Sequence, residues 1–170
     1  ELNCRRPKIG DGVRLKLARA RHPLLASRPE RTVPLDLEMA PGERTLLVSG
    51  PNAGGKTVML KTVGLAALMT QCGMFPPAAD GSSLPVFANV IAAIGDEQSI
   101  DKDLSSFSGH VIELKEALDH GGERSLLLLD EIGAGTDPAE GAALAAAVLE
   151  RLTRRGCLTL STTHYGELKQ

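Results

Sequence analysis

Gly50-Pro51-Asn52-Ala53-Gly54-Gly55-Lys56-Thr57 follows an apolar run, Leu46-Leu47-Val48, and precedes a helical pattern that extends from Thr57 to about Gln71. Gly, four residues, then Gly-Lys-Thr is the spacing of a P-loop, set between a strand and a helix. Such a loop turns backbone N–H groups toward phosphate oxygens, and glycines at positions 50, 54 and 55 permit the tight path. The positive end of the helix that follows adds to the attraction for an anion. In this pattern Lys56 reaches the β- and γ-phosphates and the Thr57 hydroxyl ligates Mg²⁺. Asn52 offers an amide inside the loop that can position water or the γ-phosphate. The plain alternative, a glycine-rich turn ahead of a helix, does not require the full motif that is present.

A second constellation lies downstream. Ser125-Leu126-Leu127-Leu128-Leu129 is a continuous apolar run, suited to a central strand buried on both faces, and it ends in Asp130-Glu131. In open α/β sheets ligands bind at the carboxyl ends of strands. Asp130 there is suited to a Mg²⁺ shell, and Glu131 to orienting and deprotonating an attacking water. A surface turn would also accept an Asp-Glu pair, but four leucines precede this one. His164 ends a further β-rich run, Cys157 to Thr163. Two readings stand for it: a hydrogen bond to the γ-phosphate, or a structural strand-end histidine.

The rest of the chain supplies the frame. Val13–Leu17 and Val33–Met39 alternate apolar and polar residues, and Ala40-Pro41-Gly42-Glu43 reads as a turn, which predicts an antiparallel hairpin ahead of the strand 44–49. Pro85–Ile94 is strand-like, and helices are expected over about Gly109–Leu118 and Ala139–Arg154, the latter with Asp137 as cap and Pro138 in its first turn. Arg21-His22-Pro23 breaks the chain, and His22 reads as a turn residue or as a neighbour of the nucleotide.

Composition narrows the class. The chain has 170 residues, 42% hydrophobic and 24% charged, as a globular domain with a core requires. No apolar run reaches the roughly 20 residues of a membrane span, and Arg5, Arg6 and Lys8 are not followed by the apolar core of a secretory signal. Cys4, Cys72 and Cys157 are too widely spaced for a zinc site. A reducing, cytoplasmic setting is expected, with Cys72 and Cys157 as buried thiols. Net charge is −2, but residues 1–31 carry nine Lys/Arg against three acids. That basic arm reads as a solvated strand and loop or as a contact for phosphate backbones. Phe75, Phe87, Phe107 and Tyr165 are too few for a base-stacking platform.

Element order separates the P-loop classes. No guanine-reading Asn-Lys-x-Asp stretch is present, and no basic lid follows the core helices. The order is P-loop, Gln98 on a loop, Ser105-Ser106 at a helix start, Asp130-Glu131, a Gly-rich loop, then His164. This is the order of the ABC class of ATPases. In that class a serine-bearing helix start caps the γ-phosphate of the partner subunit. Ser105 and Ser106 are candidates for that role, or are simple helix caps.

On these residues the chain resembles the ATPase domain of the MutS family. The carriers are Arg21-His22-Pro23, the P-loop, Ser105-Ser106-Phe107, Asp130 to Thr136, and Thr162-Thr163-His164-Tyr165. Gly55 to Val58 with Leu60 to Leu65, Gly95 to Ile100, Gly135 to Gly141 and His164 to Lys169 resemble the second bacterial MutS type. The resemblance implies an α/β P-loop NTPase of the ABC class. Its sheet is mainly parallel, flanked by helices, with an antiparallel β annex at the amino-terminal end. The implied function is binding and hydrolysis of ATP with Mg²⁺. Gly50 to Thr57, Gln98, Ser105 and Ser106 then contact nucleotide, Thr57 and Asp130 hold the metal, and Glu131 and His164 act in catalysis. It further implies one ATPase domain over 1–170, cut from a larger homodimeric, non-membrane protein with clamp and nuclease modules, whose domain continues past Gln170. Proteins of this type are associated with branched DNA, suppression of homologous recombination and collided ribosomes. Where such domains often carry an adenine-stacking aromatic near the hairpin, this chain has only Val33. Two other readings stay open: an ATP-sensing module with little turnover, and the ATPase head of a chromosome-maintenance coiled-coil protein.

Overall fold

The computed structural model describes residues 2–28, 30, 32–51, 54–95 and 106–164. They fall into two compact units: one within Glu1–Glu43 and Val58–Ala88, the other within Arg44–Thr57 and Asn89–Gln170.

The first unit holds a mixed four-stranded sheet. Its strands are β1 (Lys8–Ile9), β2 (Lys16–Ala20), β3 (Leu35–Glu38) and β5 (Ser83–Leu84), in the order β1-β5-β2-β3. β2 and β3 form the expected antiparallel pair, with Leu17 opposite Leu37. Alternation puts Leu15, Leu17 and Leu37 in the core and Lys16 and Glu38 outside, where they pair at 2.8 Å. Helix α1 (Lys56–Gln71) buries Leu60, Val63, Ala66 and Ala67. The Gln71 side chain accepts from the Phe87 N–H at 2.7 Å, which ties the helix end to the chain after β5. His22 is a turn residue: its Nδ1 accepts from the Leu24 N–H at 3.3 Å and its carbonyl accepts from Leu25 and Ala26. Burial, and after it the nearby Lys61 ammonium, lower its pKa.

The second unit is a parallel sheet in the order β4-β8-β7-β6, made of β4 (Thr45–Ser49), β6 (Asn89–Ala93), β7 (Ser125–Leu129) and β8 (Leu158–Thr163). β7 and β8 are buried at every position, as expected of central parallel strands. Helix α2 (Ser106–His120) packs on β6 and on helix α3 (Pro138–Arg154), which packs on β8. Leu114, Ala117, Leu127, Leu129, Ala145 and Leu152 meet in the core beneath them. α3 is specified at both ends. Asp137 Oδ1 accepts from the N–H of Ala139 at 2.9 Å and of Glu140 at 3.4 Å, with Pro138 next in the first turn. At the other end Gly156 takes φ +75°, Gly156 N–H donates to Thr153 O, and Cys157 N–H donates to Leu152 O. This is a Schellman closure, and it needs the left-handed glycine.

Two expectations are corrected here. The chain does not form one mainly parallel sheet with an antiparallel annex, so an ABC-type ATPase head is not what the chain shows. Among the described residues β3 pairs with β2 and β4 pairs with β8, in separate sheets. The turn between β3 and β4 is closed locally: Glu43 N–H donates to Ala40 O at 3.1 Å, and Ala40 N–H donates to Glu43 Oε2 at 2.7 Å. A four-residue closure of that kind also fits a hairpin, so the local pattern did not separate the two outcomes. The first sheet is completed instead by β5, a two-residue strand just ahead of the strand-like run Pro85–Ile94. It joins β2 in antiparallel and β1 in parallel fashion, and Pro85, lacking an N–H, follows it. The second correction concerns the thiols. Cys157 is buried, and burial raises its pKa, whereas Cys72 is exposed just beyond α1.

Candidate functional site

The Gly50–Thr57 loop leaves the end of β4 and enters α1 at Lys56. Gly55 sits at φ +76°, a left-handed conformation that a side chain would strain, although no atom lies within 4 Å of its Cβ position. Gly54 N–H donates to Pro51 O at 3.0 Å. Lys56 is 6% exposed and its ammonium donates to Gly50 O at 2.5 Å, so the lysine folds back over the loop's start. The first turn of α1 carries no acidic residue to offset its positive end.

β7 delivers Asp130 beside this loop. Thr57 Oγ1 donates to Asp130 Oδ2 at 2.5 Å, and Thr162 Oγ1 donates to Asp130 Oδ1. Both carboxylate oxygens are thus engaged on a side chain that is almost fully buried. Asp130 N–H donates to Ala93 O at 2.9 Å, so the ladder with β6 continues past the strand. The chain then turns sharply. Glu131 has φ +50°, unusual for a residue with a side chain, and its N–H donates to Thr162 Oγ1 at 2.8 Å. Ile132 N–H donates to Thr162 O at 3.1 Å, and Ala134 N–H to Glu131 O at 3.0 Å. This left-handed turn brings Glu131 Oε1 within 2.9 Å of His164 Nε2, at the end of β8. Glu131 is mostly buried, while His164 is exposed.

Thr57, Asp130, Glu131 and His164 therefore form one connected cluster, with Lys56 on the same loop. Asn52, Ala53, Gln98 and Ser105 lie outside the described residues. Ser106 is the first residue of α2. Thr162 is the residue that sequence reasoning passed over. It reads as an ordinary β-former in a strand, yet its hydroxyl joins Asp130 to the Glu131 backbone. It stands in the Thr162-Thr163-His164-Tyr165 stretch that carries the family resemblance, but its place beside Asp130 is set by register: parallel pairing sets Leu129 opposite Ser161, which leaves Thr162 next to the strand end carrying Asp130. Chemically the cluster offers two hard oxygen donors at Thr57 and Asp130, a cation at Lys56 and a carboxylate–imidazole pair at Glu131 and His164.

The family model for MutS domain V matches residues 46–170. The chain belongs to the MutS family. Within that family the similar proteins are of the MutS2 type. The chain is 52% identical over 170 residues to the Endonuclease MutS2 of Gemmatimonas aurantiaca, covering 99% of the chain and 21% of that protein. It is 51% identical over 168 residues to the Endonuclease MutS2 of Geobacillus kaustophilus, again 99% of the chain and 21% of the relative. It is 54% identical over 166 residues to that of Thermomicrobium roseum, 96% of the chain and 21% of the relative. The chain thus spans about a fifth of the length of these MutS2 relatives. No helix among its described residues is long and apolar enough to cross a membrane.

Proposed function

We propose that this chain binds ATP with Mg²⁺ on the Gly50–Thr57 loop and hydrolyses it, as the ATP-driven segment of a larger MutS2-type protein. The observation that carries this reading is the 2.5 Å contact between Thr57 Oγ1 and Asp130 Oδ2. It joins a hydroxyl from the glycine loop to a carboxylate from a strand end. Mg²⁺ takes one or two carboxylates and completes its shell with phosphate and water oxygens, so this donor set fits. When bound, the ion neutralises charge on the phosphate oxygens.

In the same reading Lys56 exchanges its bond to Gly50 O for phosphate oxygens, a charge-assisted contact. Glu131 takes the proton of the water that attacks the γ-phosphorus as the bond to ADP breaks. His164, 2.9 Å from Glu131 Oε1, holds that carboxylate and also lies within the cluster that would meet the γ-phosphate. Gln98, Asn52, Ser105 and Ser106 complete the nucleotide contacts, the serines from a second copy of the chain. The parent protein is then a cytoplasmic homodimer that grips branched DNA and suppresses homologous recombination. It carries endonuclease activity outside this chain and also recognises collided ribosomes. A second reading, an ATP sensor with little turnover, is favoured by one observation: one Glu131 carboxylate oxygen is already engaged by His164, a contact that competes with water for it.

Two substitutions test this. Lys56→Ala weakens ATP binding by about 100-fold, the loss of a charge-assisted contact. Glu131→Gln keeps binding and lowers turnover on the order of 10²–10⁴-fold, as loss of a general base requires. Turnover that rises faster than linearly with chain concentration supports a site completed by a second copy. Binding without turnover at every concentration establishes the sensor instead.

A further inference from the structure

The basic amino-terminal arm gathers its arginines at one place in the first unit. β2 carries an irregularity in its pairing with β3 between Leu17 and Ala20. Arg19, within it, has φ +47°, and its N–H donates to Asp36 Oδ1 at 2.8 Å. Leu17 and Ala20 are both buried, although residues three apart on a regular strand face opposite sides. The extra residue lets both point inward and turns Arg19 outward, which is how bulges re-aim side chains. Arg19 and Arg21 then line a cleft of about 330 Å³ together with Arg5 and the segment Pro77 to Asp80.

The walls of this cleft are tied by backbone bonds. Arg21 N–H donates to Pro77 O at 2.9 Å, and Ala79 N–H donates to Ala18 O at 2.8 Å. Asp80 is the one acid in the lining, and its Oδ2 lies 3.8 Å from Arg5 Nε. Three arginines against one aspartate, itself within ion-pair distance of Arg5, leave the lining of the cleft net positive. Arg21 Nε is a buried atom without a hydrogen-bond partner among the described residues. A buried guanidinium N–H in that condition calls for an acceptor.

We propose that this cleft holds a phosphate group of the kind carried along a nucleic-acid backbone. The planar guanidinium fork matches paired phosphate oxygens, and the volume admits a phosphate with its attached sugar. The proposal does not rest on the ATP reading, because none of the cleft residues belongs to the Gly50–Thr57 cluster. It places a nucleic-acid contact inside this chain rather than in modules outside it.

The test uses the whole chain with Lys56→Ala, so that the glycine loop does not add its own phosphate binding. Arginine Nε–H signals are followed by NMR as inorganic phosphate is added, and binding of a labelled DNA duplex is followed by anisotropy across a salt series. The expected result is a saturable shift of the Arg21 Nε–H signal. With the duplex, Arg5→Gln and Arg19→Gln each lower the slope of log affinity against log salt by about 0.9, one phosphate contact apiece. Both residues are exposed, so these variants serve as the test even if Arg21→Gln fails to fold. If phosphate shifts Arg21 but neither variant changes duplex binding, the site takes a free phosphate and the nucleic-acid assignment is overturned. An Arg21 signal that stays in place through millimolar phosphate and saturating duplex overturns the proposal as a whole.

Discussion

β7 and β2 are both five-residue strands, and they treat polar groups in opposite ways. β7 reads Ser-Leu-Leu-Leu-Leu and is buried throughout, so its charge is pushed off the end as Asp130 and Glu131. β2 reads Lys-Leu-Ala-Arg-Ala and presents Lys16 on its outer face, while the irregularity between Leu17 and Ala20 turns Arg19 outward as well. A parallel strand covered on both faces tolerates a carboxylate only at its end, where partners such as Thr162 and Thr57 can satisfy it. A strand in a half-exposed mixed sheet presents cations along its length, and a bulge can aim one of them elsewhere. The first arrangement builds a connected polar cluster, and the second builds an open basic cleft.

Three experiments on folding stability probe this contrast. Leu129→Ala removes a side chain from the core of the second unit and is expected to cost about 2–5 kcal/mol in a urea titration. A cost near zero would mean that β7 is not the buried centre of its sheet. Thr162→Val keeps shape and removes the hydroxyl that serves both Asp130 and the Glu131 N–H. It is expected to cost about 1–3 kcal/mol, because buried polar groups lose a partner, and to lower turnover as well. Unchanged stability together with unchanged turnover would show that the strand-end cluster does not depend on this hydroxyl.

The smallest effect belongs to the first unit and appears in its pH dependence. The folded pKa of His22 lies below its ordinary value, through burial and then Lys61. Protonation therefore disfavours the folded state. Stability from this group is complete above about pH 6.5 and is lost as the pH falls through the lowered folded value. His22→Gln should flatten that part of the stability profile in thermal melts, and an identical profile in the variant would assign the acid sensitivity to other groups.

Local rules made the helices and central strands legible. α3 was readable because Asp137-Pro138 opens it and Gly156 closes it, and β7 because four leucines in a row have no solvent face to offer. α2 was read short: it starts at Ser106 and carries Gly109 inside, where helix propensity alone argues for a boundary. The misread parts depend on long-range pairing. β5 is two residues long and exists only because β1 and β2 lie on either side of it. The exposure of Cys72 follows from which side of the α1 terminus meets solvent, which a thiol's usual preference for burial does not foretell.

By itself the sequence determined the glycine loop with Lys56 and Thr57, the apolar strand ending in Asp130-Glu131, and the helix caps, because each is written within a few neighbouring residues. Tertiary structure alone decided that β3 and β4 belong to different sheets and that Thr162 holds Asp130 and Glu131 together. It also decided that Arg5, Arg19 and Arg21 meet at one cleft. Those outcomes turn on strand register and on a bulge, which join residues far apart in the chain and leave no periodic mark within it.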